Sequence, residues 1–119
     1  MYRLGMRFLN RTAVVVVPKQ RYLDWLRTAD PTATEITIEQ VQREPTIYLL
    51  PECDNDGEAS GYLRDMCEEI FEHELDSWYR DTIGWPDDLR FSNFTEWFDY
   101  TLHSVVIDLD DRRLKTEEL

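Results

Sequence analysis

A long amphipathic segment, residues 58–82, occupies the middle of the chain. Its apolar residues recur every three or four positions, which places them on one side of an α-helix. These residues are Leu63, Met66, Cys67, Ile70, Phe71, Leu75, Trp78 and Tyr79. The other side carries the carboxylates of Asp65, Glu68, Glu72 and Asp76. We therefore expect a helix that packs its apolar side against the rest of the domain and leaves its acidic side in water.

Three shorter runs have the composition of strands. Residues 12–17, TAVVVV, are rich in β-branched side chains and stop at Pro18, and a continuous apolar run of this kind predicts a central strand covered on both faces. Residues 46–50, TIYLL, predict a second strand, and residues 104–109, SVVIDL, predict a third.

Further helices are predicted between these strands. Residues 19–27 favour a short helix that ends near Ala29. Thr37 and Gln40 have the spacing of a capping box and predict the start of a second short helix. Residues 93–102 place aromatic side chains at helical spacing and predict another helix before the third strand.

The order of these elements indicates the fold class. A single domain over residues 1–119 is expected, of the α/β or α+β class, with about four helices packed on a small three-stranded sheet. Helices between successive strands favour a parallel sheet, and a mixed sheet is the alternative. Residues 1–9 are expected to be extended or to add an edge strand, and residues 110–119 to form a frayed tail.

The net charge of −12 is unevenly distributed. Residues 1–28 hold six basic side chains and one acidic side chain, which gives +5, whereas the other 91 residues hold seven basic and 24 acidic side chains, which gives −17. A surface dominated by negative charge repels nucleic acids and anionic lipids and attracts basic partners. We therefore expect a basic protein partner and no binding to nucleic acid.

Short apolar runs and scattered cysteines and glycines bear on location and cofactor use. The apolar runs are too short to cross a bilayer, and the N-terminus lacks the pattern of a signal peptide. Cys53 and Cys67 lie fourteen positions apart, without the paired spacing of a zinc site or a redox motif. The four glycines form no phosphate-binding loop. A cytoplasmic protein with no membrane association, no cofactor and no metal is therefore expected.

Three segments of the chain carry a resemblance to other proteins. They are VVVVPKQRYLDWL (residues 14–26), PTIYLLPE (residues 45–52) and HSVVIDL (residues 103–109), joined by a helix rich in Glu and Trp. They resemble a group of short, acidic, uncharacterised bacterial proteins, over most of the chain from residue 10 to residue 109. The resemblance implies a small cytoplasmic protein and transfers no catalytic residue.

The leading functional hypothesis is a non-enzymatic interaction module. The acidic helix side, with Glu68, Glu72 and Asp76, is expected to bind a basic partner together with the nearby Trp85. Trp85 would then be an exposed anchor, whereas the alternative interpretation makes it a cap over the end of the core.

A second hypothesis, from a different class, follows from a parallel sheet. Parallel strands would bring Lys19, Glu52, Asp54 and Asp108 to one sheet edge, where they would bind a ligand or cation or serve a small enzyme. No catalytic residue is assigned, because neither histidine stands in a recognisable nucleophile or metal motif. A homodimer in which the basic N-terminal segment meets the acidic surface of a second copy is a further alternative.

Overall fold

The central strand of the sheet is β2 (Arg11–Pro18). The computed structural model describes residues 6–119. In it, β2 lies between β3 (Thr46–Pro51) and β4 (Phe98–His103), and both neighbours run antiparallel to β2. The predicted parallel or mixed sheet is therefore wrong. The connection from β2 to β3 holds two short helices and returns the chain to the end of the sheet where β2 stops, so β3 starts there with Thr46 opposite Val16.

Four helices accompany the sheet and make this an α+β domain. They are α1 (Gln20–Ala29), α2 (Ile38–Gln42), α3 (Asp56–Asp76) and α4 (Phe91–Trp97). The predicted capping box is confirmed, because the Thr37 side chain accepts from the Gln40 backbone N–H while the Gln40 side chain accepts from the Thr37 N–H. Single 3-10 turns lie at Pro31–Ala33 and Thr82–Gly84.

The amphipathic character of α3 is confirmed. Phe71 and Leu75 are fully buried, whereas Glu68 and Glu72 are exposed. The helix is shorter than the sequence pattern suggested, because it ends at Asp76. Trp78, beyond the end of the helix, is 40% exposed and is not the core residue that was expected.

The segment after α4 was predicted incorrectly. Residues 98–102 were expected to continue a helix, but they form β4. Within β4, Phe98 is buried, and Tyr100 and Leu102 are half-buried and pack against the core. The apolar residues of this segment also recur at every second position, as they do in a strand. Aromatic side chains at helical spacing therefore did not decide between a helix and a strand.

Two short strands extend the β2–β4 pair. They are β1 (Arg7–Phe8) and β5 (Ile107–Asp108), and they pair antiparallel in a separate two-stranded sheet. β1 pairs with β5 and not with an edge of the three-stranded sheet, and residues 1–5 of the segment expected to be extended or an edge strand lie outside the described residues. The predicted third strand over residues 104–109 is reduced to β5, and residues 110–119 are exposed and contain no helix or strand.

The hydrophobic core uses one face of the sheet. Its strand residues are Val14, Val16, Leu50 and Phe98, and these pack against α1, α3 and α4. The opposite face contains the alternate residues of the same strands. We call this second surface the open face; it comprises Ala13, Val15, Val17, Ile47, Leu49, Asp99, Thr101 and His103. The expectation that residues 12–17 are covered on both sides is therefore wrong.

Candidate functional site

An open groove of about 590 Å³ lies between α3 and the segment that leads into α4. One wall is a turn and a half of α3, and the other wall is formed by residues 87–91. The helix wall contributes Arg64, Asp65, Cys67 and Glu68. We call this feature the acidic groove.

The floor of the acidic groove is apolar and is held in place by the core. Leu89 and Phe91 are partly buried and pack against the core cluster. The Sγ of Cys67 donates to the Leu89 carbonyl oxygen at 3.6 Å, which ties the loop to α3. Burial, with a smaller contribution from Glu68, raises the pKa of the Cys67 thiol, so this thiol stays protonated and serves as packing.

Two arginines in the groove are already engaged. Arg90 binds Asp88 through two contacts, Nε to Oδ1 at 3.0 Å and an Nη nitrogen to Oδ2 at 3.2 Å. Hydrogen bonds from Arg90 lower the pKa of Asp88. The guanidinium of Arg64 lies 5.4 Å from the centre of the Phe91 ring, in a cation–π contact. Arg90 is thus paired within the groove wall, whereas Arg64 keeps its charge beside Phe91, and the two basic and four acidic side chains that line the groove sum to −2.

Three carboxylates of the groove remain available. Asp65, Glu68 and Asp87 line it, and none of them forms a salt bridge with a described residue. All three are exposed. Glu72 and Asp76 follow Glu68 at four-residue intervals on α3 and are exposed as well. The carboxylates therefore form a continuous row that starts in the groove and runs along the helix.

Trp85 does not lie in the groove wall. Its side chain is half-buried and packs against the core cluster. Its indole N–H donates to the Tyr79 carbonyl oxygen at 2.7 Å. This environment fits the interpretation of Trp85 as a cap, and it leaves Phe91 as the aromatic residue nearest to the carboxylates.

The residues of the second hypothesis are dispersed by the antiparallel sheet. Lys19 follows the end of β2, and its Nζ donates to the Thr95 carbonyl oxygen at 3.1 Å. Glu52 and Asp54 follow β3 at the opposite end of the sheet, beside Arg11. Asp54 lines a small cavity of about 130 Å³ there.

Asp108 lies apart from that group as well. It is in β5, where Arg7 binds it at 3.1 Å. The parallel strands that would have joined the four residues are absent from the described chain, so no shared ligand site forms.

One polar cluster was missed by sequence reasoning. Glu74 of α3 is only 6% exposed, and its Oε2 accepts a hydrogen bond from the Tyr48 hydroxyl at 2.5 Å. The same hydroxyl lies 2.7 Å from Nδ1 of His73. The tautomer of His73 sets whether Nδ1 donates to this hydroxyl or accepts from it. We call these three residues the Tyr–His–Glu cluster.

The electrostatics of this cluster are dominated by burial. Burial raises the pKa of Glu74, and hydrogen bonds from Tyr48 and Thr46 partly oppose that increase. Burial and the neighbouring Glu74 raise the pKa of Tyr48. Tyr22 of α1 donates to the Glu74 backbone carbonyl oxygen at 2.5 Å. The cluster therefore joins α1, β3 and α3, and its chemistry is that of a structural cross-link.

No signal in the sequence marked Glu74 as buried. It follows His73 and precedes Leu75 in a segment dense with carboxylates. The only available hint was its position one turn after Ile70 and next to the apolar stripe, which is also compatible with an exposed boundary position.

Neither a metal site nor a membrane-spanning element is evident in residues 6–119. In that range no three His, Cys, Asp or Glu side chains are grouped so that they could hold a metal ion. None of the helices in the same range is long and apolar enough to cross a membrane.

Comparison with known proteins gives no match. No family model, no curated protein and no solved structure is significantly similar to the chain. The geometry of the chain itself therefore has to support any functional proposal.

Proposed function

We propose that this protein is a non-enzymatic interaction module whose acidic groove binds a basic segment of a partner protein. The observation that supports it most is the combination of free carboxylates with an apolar floor in one groove. Asp65, Glu68 and Asp87 would attract Lys or Arg side chains, while Leu89 and Phe91 would contact the apolar parts of the same segment. Protein-binding sites commonly combine an apolar centre with a charged rim.

The size of the groove suits a short segment of chain. About 590 Å³ is enough for a few side chains but is open to solvent along its length. An extended or helical peptide would therefore lie across the groove and continue along the row of Glu72 and Asp76 on α3. In this proposal Glu68 is the central contact, because it belongs both to the groove and to the row.

Electrostatic attraction should dominate this binding. The chain has a net charge of −12, so encounter with a basic segment is accelerated at low ionic strength and slowed by added salt. The Tyr–His–Glu cluster has no part in the proposed binding, since Glu74 is buried and its hydrogen bonds are satisfied within the domain.

The experiment uses a fluorescently labelled peptide of alternating arginine and leucine. Its anisotropy is measured with the full chain at low salt and at about 0.2 M salt, where the Debye length is about 7–8 Å. The wild-type protein is expected to bind the peptide and to lose at least about tenfold in affinity at the higher salt. A peptide of alternating glutamate and leucine is expected not to bind.

Charge reversal locates the binding. The double variant Asp65→Lys, Glu68→Lys should weaken binding at least about tenfold. The matched control is Glu117→Lys, Glu118→Lys in the exposed tail, which changes the net charge equally. Equal losses in the two double variants would show a general charge effect and would overturn the acidic groove as the site.

A further inference from the structure

The open face carries an unusually exposed apolar surface. Ile47 is 61% exposed and Leu49 is 49% exposed, although both belong to the three-stranded sheet. Val15 and Val17 lie between them and β4 and are half-buried. Where one face of an antiparallel sheet is in water, the residues on that face are normally polar. The fold of the single chain therefore does not explain the apolar residues on the open face.

The short strands β1 and β5 continue this surface beyond the sheet. Ala13 is opposite His103, while Phe8 is opposite Ile107, and the Leu9 N–H donates to the Val106 carbonyl oxygen at 2.8 Å. Between the Leu9–Val106 and Ala13–His103 pairs, the three residues 10–12 lie opposite the two residues 104–105. The strand that leads from β1 into β2 therefore contains one extra residue. This is a β-bulge, and β1 and β5 are the extensions of β2 and β4 past it. We call residues 6–10 and 104–109 the arm.

The apolar surface has a counterpart on the arm, beyond the bend at Ser104. Exposure alternates along the arm as in a strand, because Val106 and Asp108 are half-buried whereas Val105, Ile107 and Leu109 are exposed. They are 63%, 41% and 71% exposed. The register puts Phe8 beside Ile107, and Phe8 is 77% exposed. Met6, which precedes β1, is 40% exposed.

The area of this surface approaches that of a stable interface. The exposed fractions of the seven large residues of this surface add up to about four fully exposed residues. These seven are Met6, Phe8, Ile47, Leu49, Val105, Ile107 and Leu109. Six of the seven side chains are smaller than the aromatic ones that bury ~150–250 Å², so the lower figure applies and gives on the order of 600 Å², somewhat below the ~800 Å² that each partner contributes to a standard interface. The largest apolar patch on a monomeric protein is about 300–600 Å². The open face and arm therefore lie at the upper end of what a monomer exposes, where large patches are often functional.

The charges near this surface decide which partner fits it. The open face carries Arg11 and Asp99, one charge of each sign, and the cavity beside Phe8 on the arm is lined by two basic and two acidic residues, Arg7, Arg113, Asp108 and Asp111. The acidic row is on α3, which packs against the other face of the sheet. A basic partner would find no excess of carboxylates here, whereas a second copy would meet an equally neutral apolar surface.

We infer that two copies of this chain form a homodimer by packing the open face and arm of one copy against those of the other. A two-fold arrangement covers the same patch on both copies and leaves no patch exposed. The sheets would pack face to face about 10 Å apart. The arm also gains support, since an isolated two-stranded ribbon is marginally stable in water.

The dimer leaves the acidic groove accessible, because the groove lies on the helix side of the sheet. The two proposals respond to salt in opposite ways. Salt weakens binding of a basic peptide, but it screens repulsion between two chains of net charge −12 and should maintain or strengthen the dimer. Failure of one proposal is therefore distinguishable from failure of the other.

Sedimentation velocity on the full chain tests the inference. The wild-type protein should sediment as a dimer at micromolar concentration, at low salt and at about 0.5 M salt. The double variant Ile47→Lys, Leu49→Lys should raise the dimer dissociation constant at least about 100-fold, because each substitution acts twice in a two-fold interface. The control is Ile83→Lys, in the 3-10 turn after α3, where the side chain is 92% exposed; it should remain dimeric.

A second variant protects the test against unfolding. Phe8→Glu alters only the arm, and it should also raise the dissociation constant while circular dichroism shows the wild-type fold. A monomeric wild-type protein would overturn the inference and leave the face to a different protein. A dimer that survives both variants, or an open-ended series of oligomers, would overturn it as well, because the contact would then be elsewhere, for example at a strand edge.

Discussion

Tyr48 donates its hydroxyl hydrogen to the buried carboxyl of Glu74 at 2.5 Å and thereby joins the edge strand β3 to the long helix α3. The carboxyl is almost completely removed from water. Its raised pKa shows that burial outweighs the hydrogen bonds that favour the charged form. This contact makes the stability of the fold dependent on pH, independently of any binding function.

The first prediction concerns the pH dependence of stability. Folding raises the pKa of Glu74 above its ordinary value of 4.5, so the native state keeps a proton that the unfolded state has released. The stabilisation is complete below pH 4.5 and is lost as pH rises through the native pKa. In Glu74→Gln this titration is absent, so the free energy of unfolding of the wild type minus that of the variant should fall with rising pH.

Urea unfolding at several pH values between 4 and 8 measures this difference. Glu72→Gln is the matched control, because Glu72 is exposed on the same helix, and its difference from the wild type should vary little with pH. A difference between wild type and Glu74→Gln that is constant over the range would contradict the burial of Glu74.

The second prediction concerns the donor of this hydrogen bond. Tyr48→Phe leaves both the Glu74 carboxyl and His73 Nδ1 without the hydroxyl that they share. The expected loss is about 1–3 kcal/mol of unfolding free energy, the cost of leaving a buried polar group without its partner. The control is Tyr100→Phe, since the Tyr100 hydroxyl has no hydrogen-bond partner among the described side chains. An equally large loss of unfolding free energy in this variant would show that changed packing, and not the lost hydrogen bond, destabilises Tyr48→Phe.

The third prediction concerns the start of α3. The side chain of Asn55 accepts a hydrogen bond from the Glu58 backbone N–H at 2.8 Å, as an N-cap. Asn55→Ala should therefore reduce the unfolding free energy by about 1 kcal/mol, whereas Asn55→Asp should be nearly neutral. Thermal unfolding of the three proteins checks this, and an equal loss in both variants would show that the cap is not what the side chain provides.

Local elements of this fold could be predicted from the sequence because local chemistry specifies them. The helix start at Thr37 depends on two side chains three residues apart, and the burial of Phe71 and Leu75 follows from helical periodicity. Strand direction could not be predicted, since it depends on whether the helices between strands cross the sheet or return to the same end. The lengths and caps of these helices are compatible with either path of the chain.

The strand β4 and the buried carboxyl illustrate a different limit. Phe98 satisfies both a helical and an alternating pattern, and contact with β2 decides between them. Glu74 is buried because Tyr48, 26 residues earlier, reaches it from another element. In the candidate site, the carboxylate of Glu68 was visible in the sequence, but Phe91 and Asp87 join it only through the path of the loop before α4.

Binding of a basic segment in the acidic groove is the central claim, and chemical-shift mapping tests it most directly. Amide resonances of the isotopically labelled full chain would be followed while the arginine–leucine peptide is added. The account predicts that the largest shifts fall at residues 64–68 and 87–91, with smaller shifts along α3 to residue 76. Largest shifts on β3 or the arm, or no shifts at a peptide concentration that saturates the anisotropy signal, would contradict it.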